Sequence, residues 1–272
     1  MWIKKKEIEQ LSEFVKGYSS GEELDIRENK EGSFNILKND IYALVNTKNE
    51  QIKAVEAERD SLSDYMADIS HQLKTPITSM MIMADLLEEA EPEKKTEFIH
   101  NIQVSLNKME WLVGALLKMA KLDAHAIDFI KNDIHTSELL EAVKSSVAIL
   151  LDIHNLTIEL KQDCIIHCDK RWTTEALTNI IKNAIEYSPD GSEIDSGENP
   201  MYSWISVKDS GMGMDKTEYA ALFKRFENSS NENGFGIGMP LAHSILKGQG
   251  GDIDVDFGGK GEGTTFILKF FK

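Results

Sequence analysis

Positive charge, cysteine and long apolar runs are all scarce in this sequence of 272 residues. Lys and Arg total 30 against 46 Asp and Glu, a net charge of −16. A chain this acidic is poorly suited to track phosphate backbones, which argues against nucleic acid as a partner. It does not exclude a nucleotide, because local loop amides can outweigh a global charge. The two cysteines, Cys164 and Cys168, cannot build a disulfide framework and suit a reducing compartment. With His167 they make a poor metal site: Cys164–Cys168 alternates like a strand, and a fourth ligand is not evident. Apolar runs are short, Val147–Leu151 being among the longest, whereas a membrane span needs about 20 residues. No signal peptide is visible, and the chain as given reads as soluble. The opening Met1-Trp2-Ile3-Lys4-Lys5-Lys6 carries a lysine cluster of the kind that flanks the cytoplasmic end of a membrane helix. A solvated helix could begin the same way.

The hydrophobic share, 41%, is enough for a real core, and the length suggests roughly two domains. Residues 4–47 are polar and read as short helices around a connector at Gly17–Gly21. From about residue 48 to 90 a helical pattern runs without glycine. Met66, Leu73, Met80 and Leu87 fall at heptad position a, and Leu62, Ile69, Pro76 and Met83 at d. After a turn at Glu89–Pro92, a second helix to about Asp123 places Ile99, Leu106, Val113 and Ala120 at a, with Ile102, Met109 and Leu116 at d. Two such helices read as an antiparallel hairpin. A lone hairpin cannot hide both of its apolar seams, so a homodimeric four-helix bundle is expected, unless the hairpin packs on the rest of its own chain. After residue 124 strands and helices mix. Strands are expected at Ile127–Ile134, Leu156–Leu160, Ile165–Cys168, Trp204–Lys208, Asp252–Phe257 and Thr264–Phe271. Helices are expected at Thr136–Leu151, Arg171–Tyr187, Lys216–Phe226 and Gly238–Leu246. This predicts an α+β chain: a helical hairpin followed by an α/β sandwich of about 150 residues.

His71 falls at heptad position f, away from the seam. Pro76, five residues on, has no N–H to give the Gln72 carbonyl, so a kink is expected. An exposed imidazole beside such an irregularity is a candidate nucleophile, and Asp68 and Thr75 can share its face. Ser70-His71-Gln72-Leu73-Lys74-Thr75-Pro76 resembles the phospho-acceptor box of bacterial two-component sensor histidine kinases. In that family the histidine attacks the γ-phosphate of ATP, and the box lies on the first helix of a dimeric hairpin.

The second half carries the matching boxes. Asn179 and Asn183 lie one turn apart in Glu175–Tyr187, and carboxamides can serve Mg²⁺ and phosphate without the repulsion of carboxylates. This looks like the family's asparagine box, which implies Asn183 as a Mg²⁺ ligand and Asn179 and Tyr187 as nucleotide-site residues. Asp209-Ser210-Gly211-Met212-Gly213 resembles the first glycine box, whose aspartate reads adenine. Leu222–Phe226, with Arg225, resembles the phenylalanine box. Residues 228–233 form a polar stretch suited to a lid. Gly234, Gly236 and Gly238 precede a helix, as a phosphate site would, and resemble the second glycine box. Gly261-Glu262-Gly263-Thr264 resembles the final glycine turn. There is no Walker loop, so the resemblance implies the lidded sandwich shared with gyrase-like ATPases. It covers about residues 60–272.

The resemblance thus implies a kinase that uses ATP and Mg²⁺ to phosphorylate His71 and passes the group to an aspartate of a response regulator's receiver domain. Thr75 would orient water in a reverse, phosphatase reaction. Its implied segments are a membrane-proximal linker (1–47), a dimerisation and phospho-acceptor domain (48–124) and an ATP-binding domain (125–272). Membrane-spanning segments are expected upstream, placing the full-length protein at the cytoplasmic face of the membrane. Three positions depart from the pattern: Gln72 replaces an acidic base, Glu186 a lysine and Asn228 an arginine. Arg225 or Lys182 is left to compensate for the lost charge. Because a free imidazole is already mostly neutral at pH 7, slow rather than absent autophosphorylation is expected. The alternative is a scaffold that binds nucleotide and regulator but mainly dephosphorylates or docks.

Overall fold

A computed structural model describes residues 8–9, 12–13 and 33–272, without 89, 155, 189–191, 215–218, 220, 227–234 and 258–262. The chain divides between Ile69 and Ser70 into two units. Helix α1, Ser33–Leu87, contributes to both. It starts well before the expected residue 48, so no element boundary falls at 47. No glycine or proline interrupts residues 34–75, so the helix runs unbroken from Ser33 into the segment expected to begin at 48. The helix also stays helical through Pro76. In the first unit its apolar residues Ile52, Val55, Leu62 and Met66 are exposed.

In the second unit, α2 spans Pro92–Asp123 with Pro92 in its first turn, where a missing N–H costs nothing. Glu93 and Lys121 sit at the ends that favour their charges. The buried residues of α2 are Leu112, Ala115, Met119 and Leu122. They are not the heptad seam; Ile99, Leu106 and Val113 of that seam are exposed.

The remaining elements are β1 (Asn132–His135), α3 (Thr136–His154), β2 (Ile158–Leu160), β3 (Ile165–Cys168), α4 (Lys170–Tyr187), β4 (Ser192–Glu198), β5 (Tyr202–Lys208), α5 (Gly238–Gly248), β6 (Gly251–Asp256) and β7 (Thr265–Phe271). A five-stranded sheet has the order β2-β4-β5-β7-β6, and β1 pairs with β3 in a two-stranded ribbon. Only the β2–β4 pair is parallel in the larger sheet. Alternation puts Ser203, Ile205 and Val207 of β5 inward, opposite Phe270, Leu268 and Phe266 of β7. Helix α4 covers this face with Ala176, Leu177, Ile180, Ile181, Ala184 and Ile185, and α5 packs beside it. Helix α2 in turn packs on α5.

Two strand expectations change. Residues 127–131 are irregular, and only Asn132–His135 pairs. Side chains hold this stretch in place of a ladder: Ile130 N donates to Asp169 Oδ2 (2.9 Å), and Lys131 Nζ to the Gln249 carbonyl. Strand β4 was not expected from its polar sequence. It gains its place through Gly197, which pairs with Trp204 so closely that a Cβ there would lie 2.7 Å from the indole ring.

Asp169 joins these parts. It is buried, its Oδ1 caps α4 at Trp172 N (3.1 Å), its Oδ2 takes the Ile130 amide, and its own N donates to Gln249 Oε1 (2.7 Å). Replacing it with Ala removes a cap and strands a part-buried donor, so Asp169→Ala should cost about 2–4 kcal/mol. Asp169→Asn, able to serve only one of the two donors, should fall between wild type and Asp169→Ala in urea denaturation.

Candidate functional site

Strand β5 delivers the central group. Its inward alternation continues past the last paired residue, so Asp209 is buried at the strand end. A buried carboxylate is costly unless hydrogen-bonded. Here Oδ1 accepts from Gly211 N (2.9 Å) and Thr264 N (3.0 Å), and Asp209 N donates to the Thr264 carbonyl (2.9 Å). Oδ2 has no protein partner among the described residues. The close approach needs glycines. A Cβ on Gly211 would lie 2.7 Å from the Tyr187 carbonyl, and one on Gly263 (φ +75°) would lie 2.0 Å from the Asp209 carbonyl.

Asp209 lines a cavity of about 730 Å³. Gly211, Gly213 and Thr264 line it on the same side. One stripe of α4, Asn179, Lys182, Asn183 and Glu186, faces the cavity with Tyr187, while the opposite stripe of that helix is in the core. Asn179 Nδ2 is tied back to the Glu175 carbonyl (3.1 Å). The Asn183 carboxamide has no protein hydrogen bond among the described residues. Gly236, Ile237 and Gly238 bring the N-terminus of α5 to the cavity, and no side chain caps that helix. Uncapped N–H groups on a helix start suit an anion. Phe226 N donates to the Gly236 carbonyl (3.2 Å), with both residues at positive φ.

Not every expected residue is placed at the cavity. Gly234 and Asn228 fall outside the described residues. Arg225 does not line the cavity; its Nη2 bridges both oxygens of Asp123 (2.7 and 2.9 Å), where α2 ends. His71, Gln72 and Thr75 do not line the cavity either. The His71 side chain is exposed and has no partner among the described residues, while Thr75 Oγ1 donates to the His71 carbonyl (3.3 Å). Burial pushes the Cys168 thiol up to about 11, and His167 Nδ1 lies 2.8 Å from Asp133 Oδ1.

The cavity also has a wall that motif reading missed. Val104, Asn107, Lys108 and Trp111 of α2 line it, and Trp111 stacks on Phe235 (centroids 6.0 Å apart, planes 15°). Lys118 pairs with Glu175 (2.8 Å) along the same contact. No sequence signal marks these residues, because heptad periodicity gives only the seam.

Residues 61–125 match the His Kinase A (phospho-acceptor) domain, and residues 168–272 match the histidine kinase-, DNA gyrase B- and HSP90-like ATPase family. The chain belongs to the sensor histidine kinases. Relatives of this family include the sensor histidine kinase WalK of Bacillus subtilis, 29% identical over 245 residues, covering 85% of this chain and 39% of WalK. The heme sensor protein HssS of Staphylococcus saprophyticus is 31% identical over 219 residues, covering 78% of this chain and 47% of HssS. The chain therefore spans less than half of either relative. Among solved histidine kinases, AdeS of Acinetobacter baumannii shares the fold with a TM-score of 0.61 at 22% identity, over 74% of this chain and 97% of AdeS. ThkA in complex with response regulator protein TrrA gives 0.62 at 18%, over 83% of this chain and 66% of that one. The helical hairpin followed by a mixed α/β ATPase-family domain is thus the architecture of this kinase family.

Gly263, set against an open glycine of the same backbone conformation, tests the Asp209 loop. Gly250, also at positive φ (+76°), would have nothing within 4 Å of an added Cβ. Gly250→Ala should cost only the left-handed backbone penalty, about 1–2 kcal/mol. Gly263→Ala must add the clash with Asp209, and should unfold at a clearly lower urea midpoint than Gly250→Ala.

Proposed function

We propose that this chain is the catalytic part of a homodimeric sensor histidine kinase that phosphorylates His71 from Mg·ATP and passes the phosphoryl group to an aspartate of a response regulator. The observation that carries the reading is the pairing of Asp209, one oxygen pinned by two amides and the other left for the cavity, with the uncapped start of α5 across the same space. The first suits the exocyclic amine of an adenine, a donor. The second suits phosphates. The solved kinase ShkA in complex with AMPPNP, 23% identical with a TM-score of 0.58, has the same fold.

Asn183 fits a Mg²⁺ ion, having a carboxamide oxygen with no protein partner at the cavity wall; Mg²⁺ keeps most of its ligands as water and phosphate. When bound, the ion offsets phosphate charge. Asn179, Tyr187, Gly211, Gly213, Gly236, Gly238 and Thr264 shape the nucleotide site, with Gly234 assigned by motif. Arg225 enters only if it releases Asp123. In the chemical step a nitrogen of His71 forms a bond to the γ-phosphorus as the bond to the bridging oxygen breaks and ADP leaves. A regulator aspartate then takes the group. Because His71 does not line the cavity, the ATP-binding part must leave its seat on α2 to deliver the phosphoryl group. Thr75 is the residue to orient water in dephosphorylation.

The assigned segments are a linker (1–47), a dimerisation and phospho-acceptor domain (48–124) and an ATP-binding domain (125–272). The exposed heptad positions Leu62, Met66, Ile99, Leu106 and Val113 support the dimer. No described helix is long and apolar enough to cross a membrane, and membrane attachment is assigned to segments upstream. The second reading, a phosphatase-biased scaffold, is favoured by one observation: Gln72 beside His71 cannot act as a base.

Incubation with γ-labelled ATP and Mg²⁺ tests the first reading. The label should be acid-labile and alkali-stable, and absent from His71→Gln. Nucleotide binding with no label at any protein concentration would favour the scaffold. Gln72→Glu restores a base at that position and should speed labelling, by about 10²–10⁴ if general-base catalysis is what is missing.

A further inference from the structure

The cavity's charged walls are Lys108, Lys182, Glu186 and Asp209. A triphosphate entering a chain of net charge −16 needs a local cation more than most proteins require. The Asp209 carboxyl accepts from two amides. Lys108 belongs to α2 and is engaged by another group, as is Glu186. Arg225 is committed to Asp123 and lies outside the cavity. Lys182 is the cation that remains: half-buried, on the cavity stripe of α4 between Asn179 and Asn183, with no ion pair or hydrogen bond among the described residues.

A part-buried lysine at a cavity wall, with no ion pair or hydrogen bond among the described residues, keeps its charge available to a ligand. Glu186 stands one turn along the same helix, at a spacing that permits an ion pair. No Lys182–Glu186 pair is found among the described residues, so no described group takes up the charge of Lys182. An anion in the cavity would recover it.

Resting on the nucleotide reading above, we infer that Lys182 binds the phosphate chain of the nucleotide and supplies the positive charge that Glu186 and Arg225 do not. The lysine donates a charge-assisted hydrogen bond to a phosphate oxygen. It touches no part of the adenosine, which faces Asp209.

Calorimetric titration of the full chain tests this with two ligands, Mg·ATP and adenosine. In Lys182→Gln, Mg·ATP affinity should fall about ten- to hundredfold, the range for a hydrogen bond to a charged group, while adenosine affinity stays unchanged. Lys182→Arg keeps the charge and should retain most of the Mg·ATP affinity. Wild-type Mg·ATP affinity in Lys182→Gln overturns the inference. So does a matching loss for adenosine, which would mark a structural role, or an equal loss in the Arg and Gln variants. If the wild-type chain binds neither ligand, the nucleotide reading itself fails and the assignment of Lys182 falls with it.

Discussion

Asp209 can stay in the core only because two backbone amides converge on one of its oxygens. That convergence is a matter of register. Lys208 pairs with Thr265 across β5 and β7, so Thr264 stands opposite Asp209 just past the last rung. A slip of one residue would turn Asp209 outward and send Lys208 inward, since strand side chains alternate with period two. The sheet is thus held in one register by its apolar pairs, Ile205 with Leu268 and Val207 with Phe266, and the site inherits that register. Gly263 and Gly211 then let the backbone come close enough for both amides to reach. The unsatisfied half of the carboxylate is what remains for a ligand.

The hairpin presents two apolar faces with different fates. On α2, Leu112, Ala115, Met119 and Leu122 are buried, and α2 packs on α5. The heptad positions Ile99, Leu106 and Val113 stay exposed on the same helix. Both readings of the hairpin therefore have a physical basis: one stripe packs on its own chain, and the other is an unpaired seam of the kind that a second copy buries. Neither stripe substitutes for the other, because they lie on different sides of one helix.

What could be read from sequence was whatever local periodicity and local chemistry carry. The i, i+4 spacing put Asn179 and Asn183 on one stripe of α4, and Asp209 directly follows the strand expected at Trp204–Lys208. The glycines could be tied to turns because a positive φ or a close contact demands them there. Tertiary facts were not legible. Helix α1 begins at Ser33 because nothing in its sequence stops it, although its polar composition resembled a linker. The segment at 127–131 has apolar residues at strand-like spacing, but Asp169 and Gln249 claim its backbone and side chains. Strand β4 is polar because its place depends on Trp204 covering Gly197. Arg225 looked like a nucleotide ligand from its neighbours Phe223 and Phe226, and only packing brings it to Asp123.

The contacts that seat the ATP-binding part on α2 differ in kind, and the difference bears on how readily it could move. The buried stripe Leu112–Leu122 adheres through apolar area, which is non-directional and tolerates sliding. Orientation comes from Arg225–Asp123, Lys118–Glu175 and the Trp111–Phe235 stack. Partly exposed ion pairs are worth about 0–1 kcal/mol each, and an aromatic pair about 0.5–1.5 kcal/mol beyond its buried area. The orienting terms together are therefore of the size that one ligand's differential affinity can overcome. Because Trp111 and Phe235 both line the cavity, a molecule entering it meets one of these orienting contacts directly. Binding and seating share a surface, so a ligand that favours a different Trp111–Phe235 arrangement shifts the seat by its own preference and by nothing more.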